Sequence, residues 1–132
     1  MKEMKYSFER KTEILEHGTC FGVFYWIVNY GTHPCAYVMI PKDSKYFKKD
    51  FGEIDINVHG GLTYSNNYLP FVAKNDETGW YIGWDYAHYG DYVGYEERVP
   101  KQFQVGGKKW TTEEIKNEVR EVCYKVIKED KE

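Results

Sequence analysis

Thr111-Thr112-Glu113-Glu114-Ile115-Lys116-Asn117-Glu118-Val119-Arg120-Glu121-Val122-Cys123-Tyr124-Lys125-Val126-Ile127-Lys128 is the stretch on which the fold class turns. Thr111 and Glu114 form a capping box. The threonine hydroxyl can accept from the third helical amide, and the glutamate can reach back to the amide of the cap. Behind the cap, Ile115, Val119, Val122, Val126 and Ile127 recur at the spacing of one helix face. The pattern predicts a helix from Thr112 to about Lys128 whose apolar stripe covers one face of a sheet.

That sheet is read upstream. Cys20 to Asn29 is rich in Phe, Tyr, Trp, Val and Ile, residues that suit a pleated surface. Turn residues follow from Asn29 to Pro34, and Cys35 to Ile40 is apolar again until Pro41, which cannot donate to a ladder. The pair predicts a β-hairpin with a longer loop. Glu53 to Val58 alternates, with Ile54, Ile56 and Val58 on one side and Glu53, Asp55 and Asn57 on the other, and reads as a half-buried strand. Leu62 to Tyr64 reads as a short strand. Gly79 to Asp85 reads as another, with Trp80, Ile82 and Trp84 on one face and Tyr81, Gly83 and Asp85 on the other. Gly83 inside it signals a bulge or a close approach.

The remaining segments punctuate this core. Met1 to Glu16 fits a short helix or an irregular leading strand, and His17-Gly18 reads as a break. Lys42 to Gly52 fits a short helix or structured loop, Ser65 to Thr78 a loop anchored by Phe71 and Val72, and Ala87 to Lys109 a long connection. The expected fold is α+β: a mainly antiparallel β-sheet of about four to six strands with a C-terminal α-helix packed on one face. No repeat or linker divides the chain, so residues 1–132 read as a single domain.

Composition narrows the function classes. Hydrophobic residues at 42% and charged residues at 30% describe a globular chain rather than a disordered one. Aromatics reach 18%, with 13 tyrosines, a surplus that serves half-buried strands and binding surfaces alike. The net charge of −3 argues against bulk nucleic-acid binding, which needs a basic face. The lysine clusters at Lys42, Lys45, Lys48 and Lys49 and at Lys108 and Lys109 read as solvated surface. No apolar run approaches a membrane span. Cys20, Cys35 and Cys123 form no CxxC pair; their odd count, with no signal peptide, points to a reducing cytosol, and each reads as a small buried hydrophobe. No P-loop, Rossmann, nucleophile-elbow or zinc-finger spacing is present.

Two stretches concentrate chemistry. His59-Gly60-Gly61-Leu62-Thr63-Tyr64-Ser65 puts an imidazole beside paired glycines, whose backbone tolerates positive φ and can expose amides to an anion. Alternation gives His59 the face of Asp55 and Asn57. Trp80 to Asp91 answers it with Trp84, Asp85, Tyr86, His88, Tyr89 and Asp91. Asp85, His88 and Asp91 converge only in an irregular turn, so a hydrogen-bonded Asp85–His88 or His59–Asp pair is favoured over a metal. Plainer readings stand beside these: a tight turn with a structural His59, Asp85 capping the next turn, Asp91 as turn chemistry, and aromatics as core.

Together with Cys35-Ala36-Tyr37-Val38-Met39-Ile40-Pro41 and the capped final helix, these pieces resemble a family of small uncharacterised proteins common in bacteriophages and prophages. The family pattern is a C-G-Y-V-x-V-P strand, an H-G-G-L-T-[YF] turn and a W-x-G-[FW]-D-C-A-H-x-G-D segment, and the resemblance covers most of the chain from Cys35 onward. Ala36 stands for the usual glycine, and Tyr86 for the usual cysteine, which argues against an essential thiol there. A G-H-P that often follows the first strand is replaced by Asp43-Ser44-Lys45. The resemblance implies a phage-encoded protein of the host cytosol, and it brings no known reaction.

Three function classes follow. The first is a binding protein for a small polar or nucleotide-like ligand, in this company an antagonist that sequesters a host-defence signal. His59, Gly60, Gly61, Tyr64, Trp84, Asp85, His88 and Asp91 would line its site, with no cofactor and no metal, and a homo-oligomer is compatible with it. The second is a small hydrolase using His59 or His88 as acid–base, oriented by Asp85 or Asp91, on a phosphodiester or glycosidic bond. The third is a phage interaction module without a ligand site. Binding is preferred, because no activated nucleophile or strong metal motif is visible.

Overall fold

A computed structural model describes residues 13–30, 33–72, 78–87, 108 and 110–130. Among these residues five strands form one antiparallel sheet: β1 (Glu13–Cys20), β2 (Val23–Asn29), β3 (Pro34–Met39), β4 (Tyr64–Asn66) and β5 (Tyr81–Asp85), in the spatial order β1-β2-β3-β5-β4. Helix α1 (Thr112–Asp130) packs on one face, so the fold is α+β as expected.

β3 is the middle strand, and its residues Cys35 to Val38 are buried one after another. Both faces of the sheet are covered there, which explains an unbroken apolar run in place of alternation. On the helix side Tyr25, Ile27, Ala36, Val38, Ile82 and Trp84 meet Ile115, Val119, Val122, Cys123 and Val126, with Ile40, Tyr46, Ile54 and Ile56 completing the layer. On the other side Val28, Cys35 and Tyr37 pack under Leu69, Phe71 and Val72, the expected anchors of that loop.

The helix begins as its sequence directs. The Glu114 N–H donates to Thr111 Oγ1 (3.1 Å), and the Thr111 N–H donates to Glu114 Oε1 (3.0 Å). Both halves of the capping box are therefore formed.

Three expectations need correction. His17-Gly18 does not break the chain: both lie within β1, paired with Trp26 and Tyr25. A glycine need not end a strand when a partner side chain covers it, and the Tyr25 ring lies over Gly18 to reach Glu16 Oε2 at 2.7 Å. The break comes later, at Phe21-Gly22, with φ of 53° and 79°. Positive φ at both central residues is the signature of the two-residue hairpin turn whose twist matches its strands. Glycine holds the second position at no cost, whereas Phe21 in the left-handed region costs roughly 1–2 kcal/mol.

Second, Glu53 to Val58 belongs to no ladder among the described residues. Its alternation of burial is real: Ile54 and Ile56 are 7% and 5% exposed, while Glu53, Asp55 and Asn57 face solvent. Alternation reports an extended chain lying on a core, not a hydrogen-bonded neighbour. Third, the short strand after the glycines is Tyr64–Asn66 rather than Leu62 to Tyr64, and it takes the place beside β5. The Thr63 N–H leads into it, donating to the Gly83 carbonyl at 2.9 Å.

Gly83 is where the sheet is tightest. A Cβ there would sit 2.8 Å from Tyr37 Cδ2 and 2.9 Å from the Ala36 carbonyl oxygen. The sequence signal of a close approach is thus explained by packing against β3. Gly83→Ala must push backbone aside in the middle of the sheet and is expected to destabilise the protein by about 1–3 kcal/mol. Urea unfolding checks this: the midpoint should drop with an unchanged slope, and an unmoved midpoint would show that the sheet relaxes freely at this site.

Candidate functional site

The chain turns at residues 58–61, closed by the Gly61 N–H donating to the Val58 carbonyl at 2.9 Å. Gly60 and Gly61 have φ of 72° and 86°, so both need the freedom that glycine brings. Nothing lies within 4 Å of a Cβ built at Gly61, so conformation and not space requires glycine there. The turn breaks the preceding alternation. His59 is half-buried rather than sharing the solvent face of Asp55 and Asn57.

The imidazole of His59 stacks on Tyr86, with centroids 5.1 Å apart and planes 5° from parallel, and tilts against Trp110 at 4.8 Å. Tyr86 and Trp110 are themselves 4.9 Å apart, which closes a three-ring cluster. Lys108 Nζ sits 4.3 Å from the Trp110 ring centroid and pairs with Glu114 at 3.0 Å. Both partners of that ion pair are well exposed, so the attraction contributes little to stability.

Below the rings runs a polar chain. Trp84 Nε1–H donates to Tyr86 Oη at 2.9 Å, and the Tyr86 hydroxyl donates to Glu118 Oε1. The other oxygen, Oε2, accepts the His59 backbone N–H at 2.7 Å. One carboxylate on α1 thus ties together the exit of β5 and the His59 turn. Bonds to a charged acceptor are stronger than neutral ones, and removing one partner strands the rest.

The expected site residues divide between the two faces of the sheet. His59, Gly60 and Gly61 form the turn beside the ring cluster. Trp84 lies on the same face but is 1% exposed and reaches the cluster only through its indole N–H. Tyr64 pairs with Gly83 on the opposite face; its ring packs edge-on against Tyr37 at 5.5 Å, and its hydroxyl donates to the Tyr68 carbonyl. Asp85 pairs with Cys35 on that side too, and its Oδ1 accepts the Ala87 N–H at 3.3 Å, the turn-capping role. His59 and Asp85 are therefore separated by the sheet, because successive residues of β5 point to opposite faces. His88 and Asp91 lie outside the described residues, as does most of the long connection from Ala87 to Lys109. Among the described residues no three His, Cys, Asp or Glu side chains gather as a metal site requires.

Three contributors were not anticipated: Lys108, Trp110 and Glu118. A signal existed for Glu118. It follows Ile115 by three residues and precedes Val122 by four, which puts a charge on the apolar stripe. Lys108 and Trp110 carry no local pattern that announces them.

The far face holds a second tyrosine group. Tyr30 and Tyr37 share a hydrogen bond between their hydroxyls at 2.9 Å, and Tyr37 packs on Tyr64 and Phe71. Burial pushes Tyr30 up to about 12 and drives Tyr37 and Tyr64 higher still. On the helix face Tyr25 is pushed up to about 12, by burial first and then by its bond to Glu16.

Compared with protein-family models, curated proteins and solved structures, the chain matches none.

Two outcomes follow from these contacts. Tyr86→Phe removes the bridge between Trp84 and Glu118 and leaves a buried indole N–H unpaired, so unfolding free energy should fall by about 1–3 kcal/mol. Denaturant titration checks it, and full retention of stability would mean that the bridge is replaced by solvent. The raised tyrosines set the alkaline limit. Above pH ~10 the unfolded chain releases phenol protons that the folded chain keeps, so stability is whole below that pH and declines as pH rises through the folded values. Tyrosinate absorbance should show a late group of tyrosines titrating together with unfolding.

Proposed function

We propose that this is a small-ligand-binding protein of the phage type it resembles, holding a small polar, nucleotide-like molecule at the His59 turn, of the kind that host defence uses as a signal. The observation that carries this reading is the three-ring cluster beside an open glycine turn with a lysine ammonium over it. His59 and Trp110 are half-buried, so each presents part of its ring outward, while the wholly buried Tyr86 backs them. Aromatic surface of this kind gains about 1–3 kcal/mol per stacked base. The ammonium of Lys108 suits a phosphate, and Gly61 keeps side-chain bulk away from the approach.

The same geometry speaks against one hydrolytic pair: His59 and Asp85 are divided by the sheet, while His88 and Asp91 lie outside the described residues, and Glu118 already accepts two hydrogen bonds as a support for the turn.

The test is calorimetric titration with a panel of linear and cyclic nucleotides, followed by denaturation and mass analysis of what was bound. One intact ligand per chain, with a change in tryptophan emission, is the expected result. His59→Ala should weaken that binding by about tenfold or more, equivalent to about 1.4 kcal/mol, while unfolding stays cooperative. Altered ligand in excess of protein would replace this reading with the hydrolase; neither retention nor turnover would end both.

A further inference from the structure

Among the described residues β1 forms one edge of the sheet and β4 the other. The two edges are not alike. β4 is three residues long, which gives a foreign strand little to pair with, whereas β1 runs for eight residues and carries no proline and no lysine. Its irregularity is confined to Ile14–Glu16; from Glu16 to Cys20 it pairs with Ile27 to Val23 residue for residue. Cys20 and Val23 flank the two-residue turn, so the Cys20 carbonyl faces β2, and alternation turns the N–H and C=O groups of Gly18 and Glu16 the same way. Those of His17 and Thr19 point outward, where no strand pairs with them among the described residues. Exposed aromatics gather at the same place. Of the five large exposed hydrophobic residues among those described, three lie here. Phe21, in the turn, meets Tyr124 of α1 with ring centroids 5.6 Å apart, and Phe24 stands beside Thr19 on the other face. Such clustering marks an interface rather than ordinary surface scatter. Phe21 also holds a left-handed φ of 53° that asparagine or glycine adopts more readily, so its ring is kept at a cost in backbone strain. Between that ring and α1 runs a groove lined by Phe21, Arg120, Glu121, Tyr124 and Lys125.

We propose that a second copy of this chain docks on β1, strand against antiparallel strand, about a two-fold axis through Gly18, and joins the two sheets into one. In that register His17 of each copy lies opposite the partner's Thr19, and each such pair exchanges both of its outward backbone bonds. Gly18 meets Gly18 on the axis, where the strands come closest and neither brings a side chain. Glu16 lies opposite the partner's Cys20, so no like charges face each other along the seam. The side chains on the helix face match as well. Lys116 pairs with Glu16 at 2.9 Å and Tyr124 packs on Phe21, so α1 follows β1 from its acidic start to its turn. Antiparallel docking therefore carries Glu13, Leu15 and Glu16 of one copy to the Phe21–Tyr124 groove of the other. The half-buried Leu15 supplies apolar surface there, and the two carboxylates arrive among Arg120 and Lys125, with Glu121 the one acid on that wall. On the opposite face the partner's His17 comes beside Thr19 and covers Phe24. The contact is isologous: the same patch serves both copies, and the assembly closes at two. That reciprocity, acidic end to basic end in both directions, selects a second copy over an unrelated strand, which would meet the backbone alone. None of these residues belongs to the His59 turn, so the contact stands apart from the ligand reading.

The test is sedimentation of the native chain from micromolar to millimolar concentration, with amide hydrogen exchange followed by NMR at both ends of that range. The expected result is a monomer–dimer equilibrium in which the His17 and Thr19 amides exchange about tenfold or more slowly in the dimer than in dilute solution. Thr19→Lys puts on the edge the side chain that sheets use to repel strands, and should raise the dimer Kd by about tenfold or more. Phe21→Asn, which suits the turn but removes the ring, should weaken the dimer likewise while the dilute chain still unfolds cooperatively. A chain that stays monomeric throughout, a dimer whose His17 and Thr19 amides exchange as fast as in dilute solution, growth beyond two copies, or a dimer indifferent to Thr19→Lys overturns the proposal. The exchange pattern of the native chain decides even if a variant does not fold.

Discussion

A single carboxylate sits where an apolar residue would continue the helix stripe. Glu118 is half-buried, and a carboxylate partly withdrawn from water is held best where donors replace the water it loses. Its oxygens therefore require two donors, and the donors come from places distant in sequence: the hydroxyl of Tyr86 just past β5 and the backbone amide of His59 at the glycine turn. Satisfying Glu118 fixes the height of the helix over the sheet and the position of the turn beside it. Trp84 is drawn into the same arrangement through its indole N–H. Neutral core packing tolerates small slides; a hydrogen-bonded carboxylate does not, because the geometry is directional.

Much of the fold was legible where a local rule suffices. The capping box and the 3.6-residue stripe place α1 without reference to anything else, and Pro41 ends the apolar run of β3. The rule failed where the decisive partner is remote. Glu13, Glu16, His17 and Thr19 leave β1 with a half-exposed and unpersuasive pattern, and its identity comes from pairing with β2. The turn at Phe21-Gly22 was hidden because phenylalanine violates the residue preference of that position. Residues 53–58 show the reverse error: an alternating pattern lying on the core without a ladder among the described residues.

The candidate site divides in the same way. His59-Gly60-Gly61 could be read from residue types alone, since paired glycines announce backbone that other residues cannot adopt. Its environment could not. Alternation carries His59 onto the face of Asp55 and Asn57, but that segment joins no ladder among the described residues, and the sheet stands between His59 and Asp85. Trp110 and Lys108 arrive by the path of the chain into α1, for which no spacing rule exists. Tyr86 gains a clear physical meaning: its hydroxyl spans the gap between indole and carboxylate.

Strand order also sets the order of assembly. β1, β2 and β3 are joined by short connections and can pair as hairpins, events of about 1–10 μs. β5 cannot take its place beside β3 until the chain between Met39 and Tyr81 has closed, and β4, though earlier in sequence, pairs with β5 and must wait for it. A chain stopped short of Tyr81, whether still emerging from a ribosome or cut by a protease, would present β3, buried on both faces in the finished fold, as an unpaired edge. Folded sheets guard against such edges, because they recruit strands from other chains. The buried centre of the finished molecule is thus the adhesive surface of the unfinished one, and the C-terminal half protects the N-terminal half from self-association.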